Sequence, residues 1–305
     1  MEVSIMIEGQ QGLSWPRWQR LVHAAEDLGF DGIYRSDHFV EPQGNYQDAL
    51  ELWVSFAWLA ANTSRIQFSP LVSPVSFRDP VITAWQASGV DALAGGRLRL
   101  GLGAGWNARE HEAFGYELLD VPQRFARFEE GLQVICRLLR ENGPVTFEGD
   151  YYQLRNAQIA PRSPRENGPP ILIGGNGPKR TLPLVAKYAD EWNATSMPMD
   201  DYRERTQRLN ELLEEQGRKP EDVKRTVMRR GVIGRDDTEV NQKLDGADKE
   251  AMLARGLVIG TPSEVVEILG TFAEAGIDGV MLQWLDMDDI SGLELLAAEV
   301  LPQVR

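Results

Sequence analysis

The chain has 305 residues, with 46 acidic against 32 basic side chains and a formal net charge of −14. A polyanion such as nucleic acid is repelled by that balance, and no Lys/Arg cluster offsets it. Hydrophobic residues make up 42% and run the whole length, which excludes disorder as the main state. No apolar run approaches ~18 residues, so no membrane span is expected. The start, MEVSIMIEGQQG, lacks the basic and apolar regions of a secretory signal. One cysteine, Cys136, excludes an internal disulfide and a cysteine-rich metal site, and fits a reducing cytoplasm.

Taken in order, Val3 to Ile7 reads as a strand and Ser14 to Leu28 as a helix, with Ser14 as N-cap and Pro16 in its first turn. Gly32 to Tyr34 is the second strand, followed by a helix from Gln47 to Ala61. Arg65 to Pro70 and the helix Pro80 to Leu93 come next, then a strand from Leu98 to Leu102 and a helix from Gln123 to Arg140. Ile171 to Ile173 precedes a helix from Lys179 to Tyr188, and Glu191 to Ala194 precedes one from Asp201 to Gln216. Val223 to Ile233 contains a seventh strand. A helix from Ser263 to Ala275, a strand from Gly279 to Gln283 and a helix from Ser291 to Val300 close the chain.

Strict alternation of strand and helix implies parallel strands with right-handed crossovers. Eight strands with no break in composition favour an α/β fold of the (β/α)8 TIM-barrel type over a doubly wound sheet. Two stretches interrupt the rhythm, after strands 4 and 7. Residues 143–170 are proline-rich and hold a hairpin-like VTFEGDYYQL, and residues 234–255 are polar and read as a solvent-facing helical insertion. The expectation is one domain, 1–305, with those two insertions.

Chemistry in such a barrel sits where strands end. After strand five, Gly174-Gly175-Asn176-Gly177-Pro178-Lys179-Arg180 joins a buried strand to a helix start. Glycines there let backbone N–H groups approach a ligand, the helix end favours an anion such as phosphate, and Lys179 and Arg180 add charge. The bland alternative is a tight turn. After strand two, Ser36-Asp37-His38-Phe39 places two titratable groups at a strand end, read either as proton-transfer groups or as a structural pair. Glu110 beside His111 is either a pocket contact or a solvated carboxylate at a helix start. HExxH is absent and only His23, His38 and His111 occur, so no metal site is expected. His23 reads as a structural or surface residue within the first helix. Cys136 reads as inert core. Trp15, Trp18, Trp53, Trp58 and Trp85 stand at helical spacing and read as core, whereas Trp106 at the exit of strand four reads as a stacking platform or a lid.

The segments SDHF, GLGAGWNAREHEAFG and PPILIGGNGPKRTL…ADEWN, in this order, resemble the bacterial luciferase-like monooxygenase superfamily, in particular its coenzyme F420-dependent oxidoreductase branch. The likeness runs from the first strand to GTPSEVVEILGTFAEAGIDGVMLQ. It implies a (β/α)8 barrel holding deazaflavin coenzyme F420, or FMN as the alternative, in its mouth. It implies a phosphate at Gly174, Gly175, Asn176 and Gly177, and a ring lying against a non-prolyl cis peptide that by position joins Leu71 to Val72. Ala104, Gly105, Trp106 and Ser36 would complete the cofactor contacts. His38 would steer or protonate the reacting centre, Asp37 would orient the ring or the histidine, and Glu110 matches a nearby position. Sugar-phosphate dehydrogenases of this branch carry a glutamate where this chain has Trp106. The activity implied is hydride transfer to or from a small-molecule substrate by a cytoplasmic enzyme, homodimeric as relatives often are. A flavin monooxygenase and a cofactor-free barrel are the rival readings.

Overall fold

A computed structural model describes all 305 residues. Its strands are β1 (Glu2–Ile7), β2 (Gly32–Arg35), β3 (Gln67–Pro70), β4 (Ser73–Pro74), β5 (Leu100–Gly103), β6 (Val145–Glu148), β7 (Gln153–Ala157), β8 (Ile171–Gly174), β9 (Glu191–Ala194), β10 (Lys224–Ile233), β11 (Val258–Gly260) and β12 (Gly279–Gln283). The main sheet runs β3-β2-β1-β12-β10-β9-β8-β5-β4, with every pairing parallel. A bridge between Phe68 and Leu98 spans the remaining seam, so the sheet is a nearly closed (β/α)8 TIM barrel. β4 resumes β3 after a cis peptide between Leu71 and Val72, as the resemblance implies.

Period-two alternation divides every strand between two environments. On β1, Val3, Ile5 and Ile7 join the 65-residue core packed between sheet and helices, while Glu2, Ser4 and Met6 belong to the barrel interior. The interior is layered. At the bottom, Arg99 pairs with Glu191 and Glu2, and Lys224 with Glu2. Above them Thr226 donates to Glu191 at 2.7 Å and Asn193 to Thr226 at 3.0 Å. Next comes an apolar plug of Met6, Tyr34, Leu172 and Met281, with Leu71, Val72 and Met228 against it. The layer above that plug is open.

Glycines make room for the strand that bulges between β3 and β4. A Cβ at Gly101 would strike the Pro70 carbonyl, one at Gly103 would sit 2.5 Å from Val72 Cγ2, and one at Gly174 would sit 2.9 Å from Val72 Cγ1. These three positions are therefore closed to side chains by the protein itself.

Several expectations are corrected. The second helix starts at Leu52 rather than Gln47, because Glu51 caps it through the Val54 amide at 2.7 Å and the preceding stretch holds Pro42 and Gly44. Ser14 occupies its N-cap position without a side-chain bond. A short helix, Ala108–Phe114, closed by Gly115 at φ 73°, adds to the element order between the strand from Leu98 and the helix from Gln123. Within 143–170, β6 and β7 pair antiparallel. Within 234–255, the helices Asp237–Leu244 and Lys249–Ala254 are not merely solvent-facing. Val240, Leu244 and Met252 pack with Val232, Leu257 and Ile259 beside β11, which pairs with β10. Trp18 and Trp53 are core, but Trp15 and Trp85 are 37% and 48% exposed, since their helical positions point away from the sheet. Burial pushes the Cys136 thiol up to about 11, in keeping with an inert core group. No helix is long and apolar enough to cross a membrane.

Candidate active site

The open layer is a cavity of about 700 Å³ at the C-terminal ends of the strands. A larger hollow of about 920 Å³ lies at the opposite end, beside Glu2, Arg99 and Lys224, but the charged groups there are bound to one another. The mouth cavity has two unlike walls. One is small and apolar, made by Leu71, Val72, Ala104, Gly105, Gly174 and Gly175. The other is polar, made by Glu8, Gln10, Ser36, His38, Glu41 and Gln283. Trp106 stands at the rim, 58% exposed, edge-on to His38 with ring centroids 5.4 Å apart.

His38 enters the cavity from the loop after β2 and is held from behind. Its Nδ1 lies 2.9 and 3.1 Å from the two oxygens of Glu110, which also accepts from the Phe39 amide at 3.1 Å. Glu110 is 1% exposed. It is therefore neither a pocket contact nor a solvated carboxylate, but a buried support on the first turn of Ala108–Phe114. Asn107 and Arg109 from the same segment donate to the Val40 and Glu41 carbonyls, tying the loop after β5 to the loop after β2. Burial opposes the imidazolium, but the Glu110 hydrogen bond and charge outweigh it, and the His38 pKa is raised above the ordinary histidine value. With Nδ1 committed to Glu110, Nε2 is the nitrogen left for a ligand.

Asp37 departs from the expectation of contact with ring or histidine. Its carboxylate is taken by Arg78, at 2.6 and 2.9 Å, and by Ser73 at 2.7 Å. Arg78 also reaches Glu51 and lies over the Phe39 and Phe77 rings. The Ser73 bond joins the end of β2 to β4, with the Arg78 pair beside it, one residue from the catalytic candidate but outside the cavity lining. His111 is buried, with Nδ1 at 2.7 Å from the Asn107 carbonyl. His23 is exposed, as one of its two readings had it.

The loop after β8 is only partly as expected. Gly174 and Gly175 line the cavity, whereas Asn176 and Gly177 do not. Asn176 is turned to Thr195, accepting from its amide at 3.0 Å and donating to its hydroxyl at 2.6 Å. Gly175, at φ +124°, gives its amide to the Asn193 carbonyl at 3.0 Å, while the Asn176 and Gly177 amides take no backbone acceptor. Lys179 and Arg180 are exposed and outside the lining, because the turn carries them past the rim. Thr181, 6% exposed, heads the following helix and lines the cavity instead.

The polar wall went largely unread. Ser36 donates to Gln10 Oε1 at 2.6 Å, Gln10 to Glu8 at 3.0 Å and to Glu41 at 3.1 Å, and Gln283 to Glu8 at 2.6 Å. The signal was present: Glu8 and Gln10 follow the first strand and Gln283 ends the last, the same kind of position that drew attention to strands two to five.

The family model for luciferase-like monooxygenases matches residues 1–247. The F420-dependent glucose-6-phosphate dehydrogenase of Kineococcus radiotolerans is 29% identical over 92% of this chain and 90% of its own. Among solved structures, an F420-dependent secondary alcohol dehydrogenase in complex with an F420-acetone adduct superposes with a TM-score of 0.86, at 21% identity, over 100% of this chain and 99% of that one. The oxygenating constituent of 3,6-diketocamphane monooxygenase from Pseudomonas putida, in complex with FMN, gives 0.81 at 18% identity, over 100% and 99%. The chain belongs to the luciferase-like monooxygenase family.

Proposed function

We propose that this family member is an oxidoreductase that moves a hydride between deazaflavin coenzyme F420 and a small organic substrate. The observation that carries this reading is His38 in the wall of a cavity of tricyclic size, backed from behind by the buried Glu110. The likeness to F420-dependent dehydrogenases supports the choice of deazaflavin. When bound, that cofactor supplies two-electron hydride chemistry with little reactivity towards oxygen.

The residues present fit such a group. Leu71 and Val72 offer an apolar bed, and the wall of Ala104, Gly105, Gly174 and Gly175 carries almost no side chain that would block a flat ring. The unpaired amides of Asn176 and Gly177 and the buried Thr181, at the start of the helix Thr181–Tyr188, suit an anion. His38 holds a proton at Nε2 and exchanges it with the substrate heteroatom, while Glu110 fixes the ring and stabilises the imidazolium. Asp37 acts at one remove, positioning the His38 loop through Arg78. Trp106 shields the reacting face from water. Because Trp106 replaces the glutamate of the sugar-phosphate branch, the substrate of those relatives is not carried over.

Titration with F420 and with FMN, read by tryptophan quenching, tests the reading. Micromolar binding of F420 in preference to FMN is the expected result. Preference for FMN moves the protein to the flavin monooxygenases, and binding of neither leaves a cofactor-free barrel. We also propose a cytoplasmic homodimer, a second copy covering Val54, Ile82, Trp85 and Leu93, which stand about half exposed on the helices Leu52–Asn62 and Pro80–Leu93. A solution mass of one 34.2 kDa chain overturns the dimer.

A further inference from the structure

We infer that Arg124, which no sequence motif marks, is the side chain that grips the phosphate of the ring-bearing cofactor. The inference rests on the cofactor reading above and extends it to a residue of the helix Val121–Arg140.

Among the 25 residues lining the mouth cavity, Arg124 is the only lysine or arginine. Lys179, which sequence position favours, lines an outer groove with Arg205 and Arg208 instead. The guanidinium of Arg124 makes a single hydrogen bond within the protein. Its Nη1 donates to the Gly105 carbonyl at 2.8 Å, its Nε is buried with no partner, and no carboxylate pairs with it. Arg78, by contrast, is taken up by Asp37 and Glu51, and Arg97 makes five bonds to carbonyls and a hydroxyl. A guanidinium carries five N–H donors in a fixed fork, so Arg124, with Nη1 bonded to Gly105 and Nε buried, keeps Nη2 free to meet a phosphate oxygen.

Its placement suits the same ligand. Val121, Arg124 and Phe125 are spaced i, i+3, i+4 and all three line the cavity, so the first turn of a 20-residue helix faces it with the positive end of its dipole. Gly105 follows β5, which pairs with β8, and Val72 lies against both Gly103 and Gly174. Arg124 and the loop after β8 therefore flank one narrow stretch of wall. A second orphan, the buried Ser76 hydroxyl, lies directly where a Gly105 side chain would begin. An anion placed at this wall meets donors from the β8 loop on one side and Arg124 on the other.

The test compares ligands with and without the phosphate: FMN with riboflavin, which differ in nothing else, and F420 with its ring-ribityl fragment, which lacks the phosphate and the acidic tail attached through it. Binding to wild type, Arg124→Met and Arg124→Lys is read by tryptophan quenching, with melting curves confirming that each variant is folded. Wild type should prefer the phosphate-bearing partner of at least one pair. Arg124→Met should reduce that preference by about tenfold or more, leave the phosphate-free ligand within about twofold, and be partly rescued by lysine. Equal loss for both ligands of a pair, or an unchanged preference, assigns Arg124 to holding Gly105 and overturns the inference. Failure of wild type to bind any of the four ligands overturns the cofactor reading itself, a result distinct from an unaltered preference in the variant.

Discussion

The two ends of the barrel interior use the same alternation to opposite effect. At the bottom, the inward residues Glu2, Arg99, Glu191 and Lys224 satisfy one another, with Gln67 and Thr226 taking remaining bonds. At the mouth, strand ends such as Gly103 and Gly174 are bare, and groups with donors to spare lean in from outside the sheet, His38 from the loop after β2 and Arg124 from the helix Val121–Arg140. The lesson is one of satisfaction. A buried polar layer whose partners are all internal holds the strands together, and one whose donors stay open waits for a ligand.

Four substitutions sharpen or break this contrast. The largest effect is expected for His38→Ala, which should reduce turnover by about 10²–10⁴ with cofactor affinity little changed. Equal turnover in wild type and variant removes His38 from the mechanism. Arg99→Met at the other end should act on stability alone. Glu191, 2% exposed, would lose its partner at a cost of about 3–5 kcal/mol, seen in urea unfolding, with ligand binding by the folded fraction unaltered. Lost ligand binding would show that the two ends are not independent. Gly175→Val puts a side chain onto φ +124° at a cost of about 1–3 kcal/mol in stability and should weaken cofactor binding by filling the cavity wall. An undiminished affinity would place the phosphate elsewhere.

The smallest and most specific effect is that of Glu110→Gln. Because the folded state holds His38 protonated to higher pH than a free histidine, the pair's contribution to stability is complete below the ordinary value of ~6.5. It is lost as pH rises through the raised folded value. Removing the carboxylate charge should move the His38 limb of the pH–rate profile to lower pH and flatten the fall in melting temperature across that window. A limb that stays in place would show that Glu110 does not set the His38 proton.

Legibility differed between the fold and the site. All eight barrel strands could be placed from short apolar runs separated by helical periodicity, because each lies in a local segment bounded by glycine, proline or a cap. Ser36 and His38 could be placed at the mouth because they follow a strand directly. Glu110 could be named but not given its place. Its value as the buried support of His38 depends on the helix Ala108–Phe114 folding back across the loop after β2, a contact 72 residues away in the chain. Gly174 was read as an opening for a ligand, yet its first constraint is the side chain of Val72. Arg124 left no trace, since a lone arginine near a helix start looks like any solvated one.

Local order thus resided in the chain itself: the alternation of strand and helix, the count of eight, the glycines after β5 and β8, and the imidazole after β2. Which of those groups face each other was decided by closure of the sheet, which brings loops far apart in the chain around one opening. The reason is physical. Periodicity and capping act over a few residues, whereas the satisfaction of a buried donor depends on whichever distant strand or helix comes to lie beside it.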